Sequence, residues 1–213
     1  MQARSRRVGH TTLAAATLSV ALLAACGDPG GMAGDVRPGP TIDEIAAHHG
    51  RVCPTQLPAE KDPGHGFGTA RPAESAPSLP APESAWVCQY SPTGAGPGPD
   101  GNGTRFAFVR TGGASPVDPA RLPALERDLS QLAPADDDRL CTADLGPRWM
   151  LVFSHGTDLT GVVVDDFGCQ DVRLTDEPFE TVPGEATHGG TVPGVLTGPA
   201  ALLDDIKASA ASN

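Results

Sequence analysis

Two apolar runs, Trp149-Met-Leu-Val-Phe153 and Leu159-Thr-Gly-Val-Val-Val164, stand on either side of Ser154-His-Gly-Thr-Asp158. Short runs rich in β-branched and aromatic residues, separated by a glycine-containing break, read as a β-hairpin. Folding about that break sets opposite one another residues whose numbers sum to about 313, and such a register is hard to slip because one step turns every side chain to the other face. Position 144 then faces Cys169, and Cys141 lies three residues further on. A Cys141–Cys169 bridge across the hairpin base is therefore geometrically open. Whatever else the chain does, it must fold around this hairpin.

A second hairpin follows from Ala85-Trp-Val-Cys-Gln-Tyr90 and Thr104-Arg-Phe-Ala-Phe-Val-Arg110, with Gly94 to Gly103 read as a flexible connection. Between the hairpins, Asp118-Pro119 has the form of an N-cap with proline in the first turn. Leu122, Leu125, Leu129 and Leu132 then fall on one helical face, and Pro134 is expected to end that helix. Thr41-Ile-Asp-Glu44 fits a capping box opening a short helix that stops near Gly50. A last helix opens at Pro199 and turns Leu202, Leu203 and Ile206 inward. Residues 54 to 83 are proline-rich and read as a stapled loop, and Asp171 to Thr197 read as loop, carrying Thr-Val-Pro-Gly at 181 and again at 191. The expected fold is α+β over residues 41–213, a small antiparallel sheet built from two hairpins with two or three helices on one face and two disulfides.

The N-terminus carries Arg4, Arg6 and Arg7 with no acidic residue, then thirteen small or apolar residues from Leu13 to Ala25. That pattern is an export signal, and the run is too short for the ~20 residues of a spanning helix. Leu23-Ala24-Ala25-Cys26 resembles the lipobox of bacterial lipoproteins. The resemblance implies cleavage of residues 1–25 and lipid on Cys26, with acyl chains such as palmitate holding the protein at the outer face of the cell membrane. Ser5-Arg6-Arg7 also resembles a twin-arginine signal, although Val8-Gly9-His10 lacks the apolar residues expected after it, so both export routes stay open. Residues 26–40, rich in glycine and proline, read as a tether.

Loss of the three arginines takes the net charge from −11 to −14. A chain so acidic has no general field for nucleic acid or anionic lipid headgroups. Beyond Cys26 the cysteines are Cys53, Cys88, Cys141 and Cys169, an even set that reads as two disulfides in an exported chain. Three connectivities exist; the hairpin register favours Cys141–Cys169, which leaves Cys53–Cys88. None of the four stands in a zinc-type spacing.

No motif assembles a catalytic, cofactor or metal site. His48 and His49 are adjacent, point about 100° apart on a helix, and read as a solvent-facing pair. Asp100-Gly-Asn-Gly-Thr104 lacks the glycine and glutamate of a calcium loop at positions 105 and 111, and reads as a glycine turn. Ser154 and His155 adjoin a turn near Asp158 without a nucleophile elbow around them. Asp165 and Asp166 read as the return of a strand to solvent, and Trp86 and Trp149 as core.

Taken with the lipobox, Cys53-Pro54, Trp86-Val-Cys-Gln-Tyr90, Cys141, Phe167-Gly-Cys169 and Val172-Arg-Leu-Thr-Asp-Glu-Pro-Phe179 resemble a family of uncharacterised actinobacterial membrane-anchored lipoproteins. The resemblance implies a disulfide-bonded extracytoplasmic domain and no catalytic residue, ligand or partner. The first expectation is a non-enzymatic envelope lipoprotein that binds an envelope protein, a wall component or a small ligand. The alternative is a secreted hydrolase or metal-dependent enzyme with its site near His155. The two part on the hairpin tip: standing alone in solvent it removes the enzyme, while clustering of His155 and Asp158 with another histidine or carboxylate in a cleft favours it.

Overall fold

The computed structural model describes residues 43–59, 64–98, 100–142 and 144–211, all within the compact unit Pro38–Asn213. The signal segment, Cys26 and the tether lie outside the described residues.

The apolar runs at 149 and 159 do form the centre of the molecule. Strands β4 (Arg148–His155) and β5 (Asp158–Asp165) pair antiparallel from Arg148↔Asp165 to His155↔Asp158, in the register expected from the turn. On both strands nearly every residue is buried, so the sheet is covered on two faces. Gly161 occupies a place where no side chain fits. A Cβ there would lie 2.5 Å from Met150 Cε and 2.6 Å from Thr175 Cγ2.

The sheet is larger than two hairpins. Among the described residues it has seven strands in the order β2 (Thr104–Pro116), β1 (Ser84–Pro97), β4, β5, β6 (Val172–Thr175), β7 (Leu196–Thr197) and β3 (Ala133–Pro134), with every strand pair antiparallel. Strand β1 (Ser84–Pro97) and β2 (Thr104–Pro116) continue well beyond the runs visible in the sequence. Gly94 pairs with Phe106 and Pro97 with Thr104, so much of the expected flexible connection is ladder. Backbone pairing does not require apolar side chains, and the irregular register around Gly94 and Pro97 absorbs residues that pattern reading assigns to a loop. The tip itself is the expected glycine turn, with Gly101 and Gly103 at positive φ. The segment read as loop after Asp171 contributes β6 (Val172–Thr175) and β7 (Leu196–Thr197), and β7 pairs with β3 (Ala133–Pro134). These strands are too short to show an alternation.

Helix α2 (Leu122–Leu129) follows a 3-10 turn whose N-cap, Asp118, accepts the Ala120 amide at 2.9 Å. It ends at Leu129 rather than at Pro134, which lies in β3. Its leucines and those of α3 (Ala201–Ala210) cover one face of the sheet, packing on Val87, Leu151, Phe153, Val162 and Leu174.

The first helix does not join them. In α1 (Asp43–Ala47), Ile45 packs instead on the opposite face, against the core of Cys53, Leu57, Tyr90, Phe108, Met150 and Val152. Coil closes this face, pinned by the Cys53–Cys88 disulfide and by the Tyr90 hydroxyl donating to Pro54 O at 2.9 Å. The second disulfide joins Cys141 and Cys169. The protein is thus mostly sheet, with three short α-helices among the described residues.

Asp165 departs from its expected role. It is 4% exposed and bridges two buried guanidinium groups, Arg148 at 2.6 Å and Arg173 at 2.9 Å. Arg148 lies 4.0 Å above the Phe108 ring and donates to the carbonyls of Gly66 and Phe67, while Arg173 donates to Thr69 O. Asp171 extends the chain of charge to Arg139. The network fastens the proline-rich coil onto the sheet.

Candidate functional site

The β4–β5 tip does not stand alone. It forms one wall of a cleft of about 440 Å³ that includes His155, Thr157, Asp158 and Thr160. Helix α1 brings Asp43 and Glu44 to the same cleft and the turn after it brings His48, while the loop after β6 brings Asp176, Glu177, Phe179 and Glu180, with His188 and Gly189 at the rim. Six carboxylates and three histidines line it, with no lysine or arginine among the lining residues. The resulting field is negative and concentrated by the concave wall.

Local chemistry explains how these groups are held. β6 pairs with β5 only from Gly161 to Val164, so at Leu159, which faces Ser154 of β4 on one side, no β6 residue is paired on the other. Glu44 Oε2 accepts the Leu159 N–H at 2.8 Å. The residue read as a helix-capping glutamate therefore spends an oxygen on a strand 115 positions away, while Thr41, its expected partner, lies outside the described residues. Burial pushes the Glu44 carboxyl up to about 7; the Leu159 amide opposes this, and Glu177, Asp158 and Glu180 add to it by repulsion.

Asp176 has the contrary environment. Burial opposes its ionisation, yet the backbone amides of Thr187 and His188, at 3.0 and 2.9 Å, outweigh burial and hold its carboxyl below the usual range. It also lies 3.2 Å from His188 Nδ1, which fixes the rim of the cleft.

Of the adjacent histidines, His49 is exposed with φ of 57°. His48 is not solvent-facing: its ring stacks on Phe179 at 3.7 Å between centroids and 12° between planes. The stack closes one end of the cleft and ties α1 to the loop after β6. Trp86 and Trp149 are partly buried against the two cores, and Trp149 Nε1 donates to Asp166 Oδ2 at 3.2 Å.

The clustering of His155 and Asp158 with further histidines and carboxylates, which favours the enzyme alternative, is therefore present. Ser154 is 2% exposed, and the Thr157 hydroxyl donates to Asp158 rather than to His155. Among the described residues no hydroxyl hydrogen-bonds His155, and no three His, Cys, Asp or Glu side chains converge as a metal site. What the cleft offers is a mixed acidic and aromatic surface for a positively charged group.

Glu44, Asp176, Glu177, Phe179 and Glu180 carried no signal for this site in the sequence. Only the tip residues His155 and Asp158 were legible. No family model matches the chain, and no curated protein or solved structure gives a match.

Proposed function

We propose that this chain is a membrane-anchored extracytoplasmic lipoprotein whose domain binds a cationic ligand, without catalysis, in the cleft beside the β4–β5 tip. The observation that carries the ligand reading is the cleft lining: six carboxylates and three histidines, with no lysine or arginine among the lining residues. A bound cation relieves that mutual repulsion, and the Phe179 ring adds an apolar wall for the ligand's carbon skeleton. The anchoring reading rests on the charged and apolar segments before Cys26 and on the resemblance of Leu23-Ala-Ala-Cys26 to a lipobox. No helix among the described residues is long and apolar enough to cross a membrane, so the lipid on Cys26 is the anchor in this reading.

Calorimetric titration with spermine tests the binding. Asp158→Asn with Glu177→Gln is expected to weaken it about tenfold or more, whereas neutralising the exposed run Asp136 to Asp138 should leave it within about twofold. Equal loss in both variants would reduce the cleft to part of a diffuse acidic surface. Intact mass of the protein from native membranes tests the anchor, expected as a diacylglyceryl addition on Cys26.

A second reading, a hydrolase using His155 as its base, draws on the presence of His155 and Asp158 in one cleft with His48 and His188. Turnover of any envelope substrate that is lost in His155→Ala would establish it and displace the first reading.

A further inference from the structure

Helix α1 is held in place by unusually little. It has five residues, none of them buried, and a helix so short has no independent stability. Ile45 packs against the coil-covered core, Glu44 accepts from the Leu159 amide, and just after the helix His48 stacks on Phe179, whose ring Arg51 also approaches at 5.9 Å. The Glu44 bond and the His48 stack lie in the cleft and involve titratable side chains. The hydrogen bond is also the place where α1 replaces a missing strand at the edge of β5.

We propose that α1 is a proton-controlled latch on the cleft: with Glu44 protonated it stays seated against Leu159, and with Glu44 ionised it is released and the cleft opens. This rests on reading the cleft as the ligand site. Burial sets the sign of the Glu44 shift, and the groups that face it add to the shift. Asp158 reaches it from β5 and Glu177 and Glu180 from the loop after β6, while Asp43 shares its helix; all are carboxylates. His48 follows directly after the helix, His155, His188 and Asp176 complete the lining, and the Arg51 guanidinium, which donates to His48 O, lies 5.9 Å from the centroid of the Phe179 ring. Ionising a half-buried Glu44 costs solvation first; the Leu159 amide opposes that cost, and repulsion from Glu177, Asp158 and Glu180 adds to it, so the balance favours the protonated form.

Linkage fixes the direction. Seated, the Glu44 carboxyl titrates near 7; released into water it returns to the ordinary value of 4.5. The seated state thus binds its proton more tightly, so it is fully favoured below 4.5 and weakens as pH rises through 7. A cation entering the cleft takes over the proton's role, screening the carboxylates and reseating α1 over itself. Binding and proton release are then coupled.

Hydrogen exchange at the Leu159 amide, corrected for intrinsic rate and measured on the full chain, reports the latch without any ligand. Between pH 5 and pH 8.5 its protection is expected to fall on the order of tenfold or more, the pKa difference setting the ceiling and solvent screening reducing it. Glu44→Gln keeps a neutral acceptor and should hold protection flat. Glu177→Gln, which removes a neighbouring charge without touching the bond, should move the fall to lower pH. Flat protection in the wild type, or an equal fall in Glu44→Gln, overturns the latch. If protection falls as expected while spermine fails to bind, the latch stands and the ligand reading fails; bound spermine that leaves the fall at pH 8.5 unchanged overturns the coupling.

Discussion

The two faces of the sheet are closed by different means. On one, α2 and α3 lay leucines and Ile206 over Val87, Leu151, Phe153 and Leu174 in an apolar contact. On the other, coil and one short helix cover Tyr90, Phe108, Met150 and Val163, and the cover is fastened by a disulfide, a tyrosine hydroxyl and the Arg148–Asp165–Arg173 network. Helices satisfy their own backbone groups and need only an apolar stripe. Coil exposes its carbonyls to the interior, so it must be met by donors. Arg148 and Arg173 supply these donors to Gly66, Phe67 and Thr69; Asp165 pairs with both cations, and Asp171 brings a second carboxylate to Arg173.

If that contrast is right, the coil-covered face fails through charge and the helical face through volume. The largest expected effect is Asp165→Ala, which takes from the buried Arg148 and Arg173 the carboxylate they share and should cost about 3–5 kcal/mol in urea unfolding. A loss below about 1 kcal/mol would show that Asp171 and the backbone carbonyls satisfy the arginines without Asp165. Leu125→Ala, opening a void on the helical face, should cost about 3 kcal/mol while leaving the coil face folded, with Leu159 amide protection unchanged. Coupled loss at both sites would mean that the two cores unfold as one. The smallest effect is expected at the helix entry: Asp118→Ala removes the acceptor of the Ala120 amide and should cost about 1 kcal/mol in thermal unfolding. A cost near that of Leu125→Ala would make the cap a packing residue.

The repeated Thr-Val-Pro-Gly shows how far local sequence reaches. At the first copy the Glu185 amide returns to Val182 O at 2.9 Å, closing the turn that proline and glycine favour. At the second, the Val195 amide goes instead to Arg71 O at 2.8 Å, and Gly194 donates to Gly184 O. The same tetrapeptide thus closes on itself in one place and joins the proline-rich coil to the sheet in the other. Gly194 has φ of 104°, and a Cβ there would meet the Ala73 backbone at 2.6 Å, so its neighbours dictate its residue type as firmly as its turn does.

The site divides in the same way. His155 and Asp158 were visible because they sit at a hairpin tip whose register the flanking runs dictate. Glu44 was visible only as a helix cap, and Phe179 and Glu180 not at all, because a cleft is made by elements distant in the chain. The sequence by itself determined what depends on neighbours a few positions away: the central hairpin and its register, the inward faces of α2 and α3, and a cysteine pairing favoured by that register. Tertiary structure alone decided the seven-stranded extent of the sheet, the seat of α1 on the far face, the burial of Asp165 and the gathering of carboxylates at the tip. Periodicity reports which side of an element is apolar, but the partner of a carboxylate or an unpaired amide is chosen only once distant chain is folded against it.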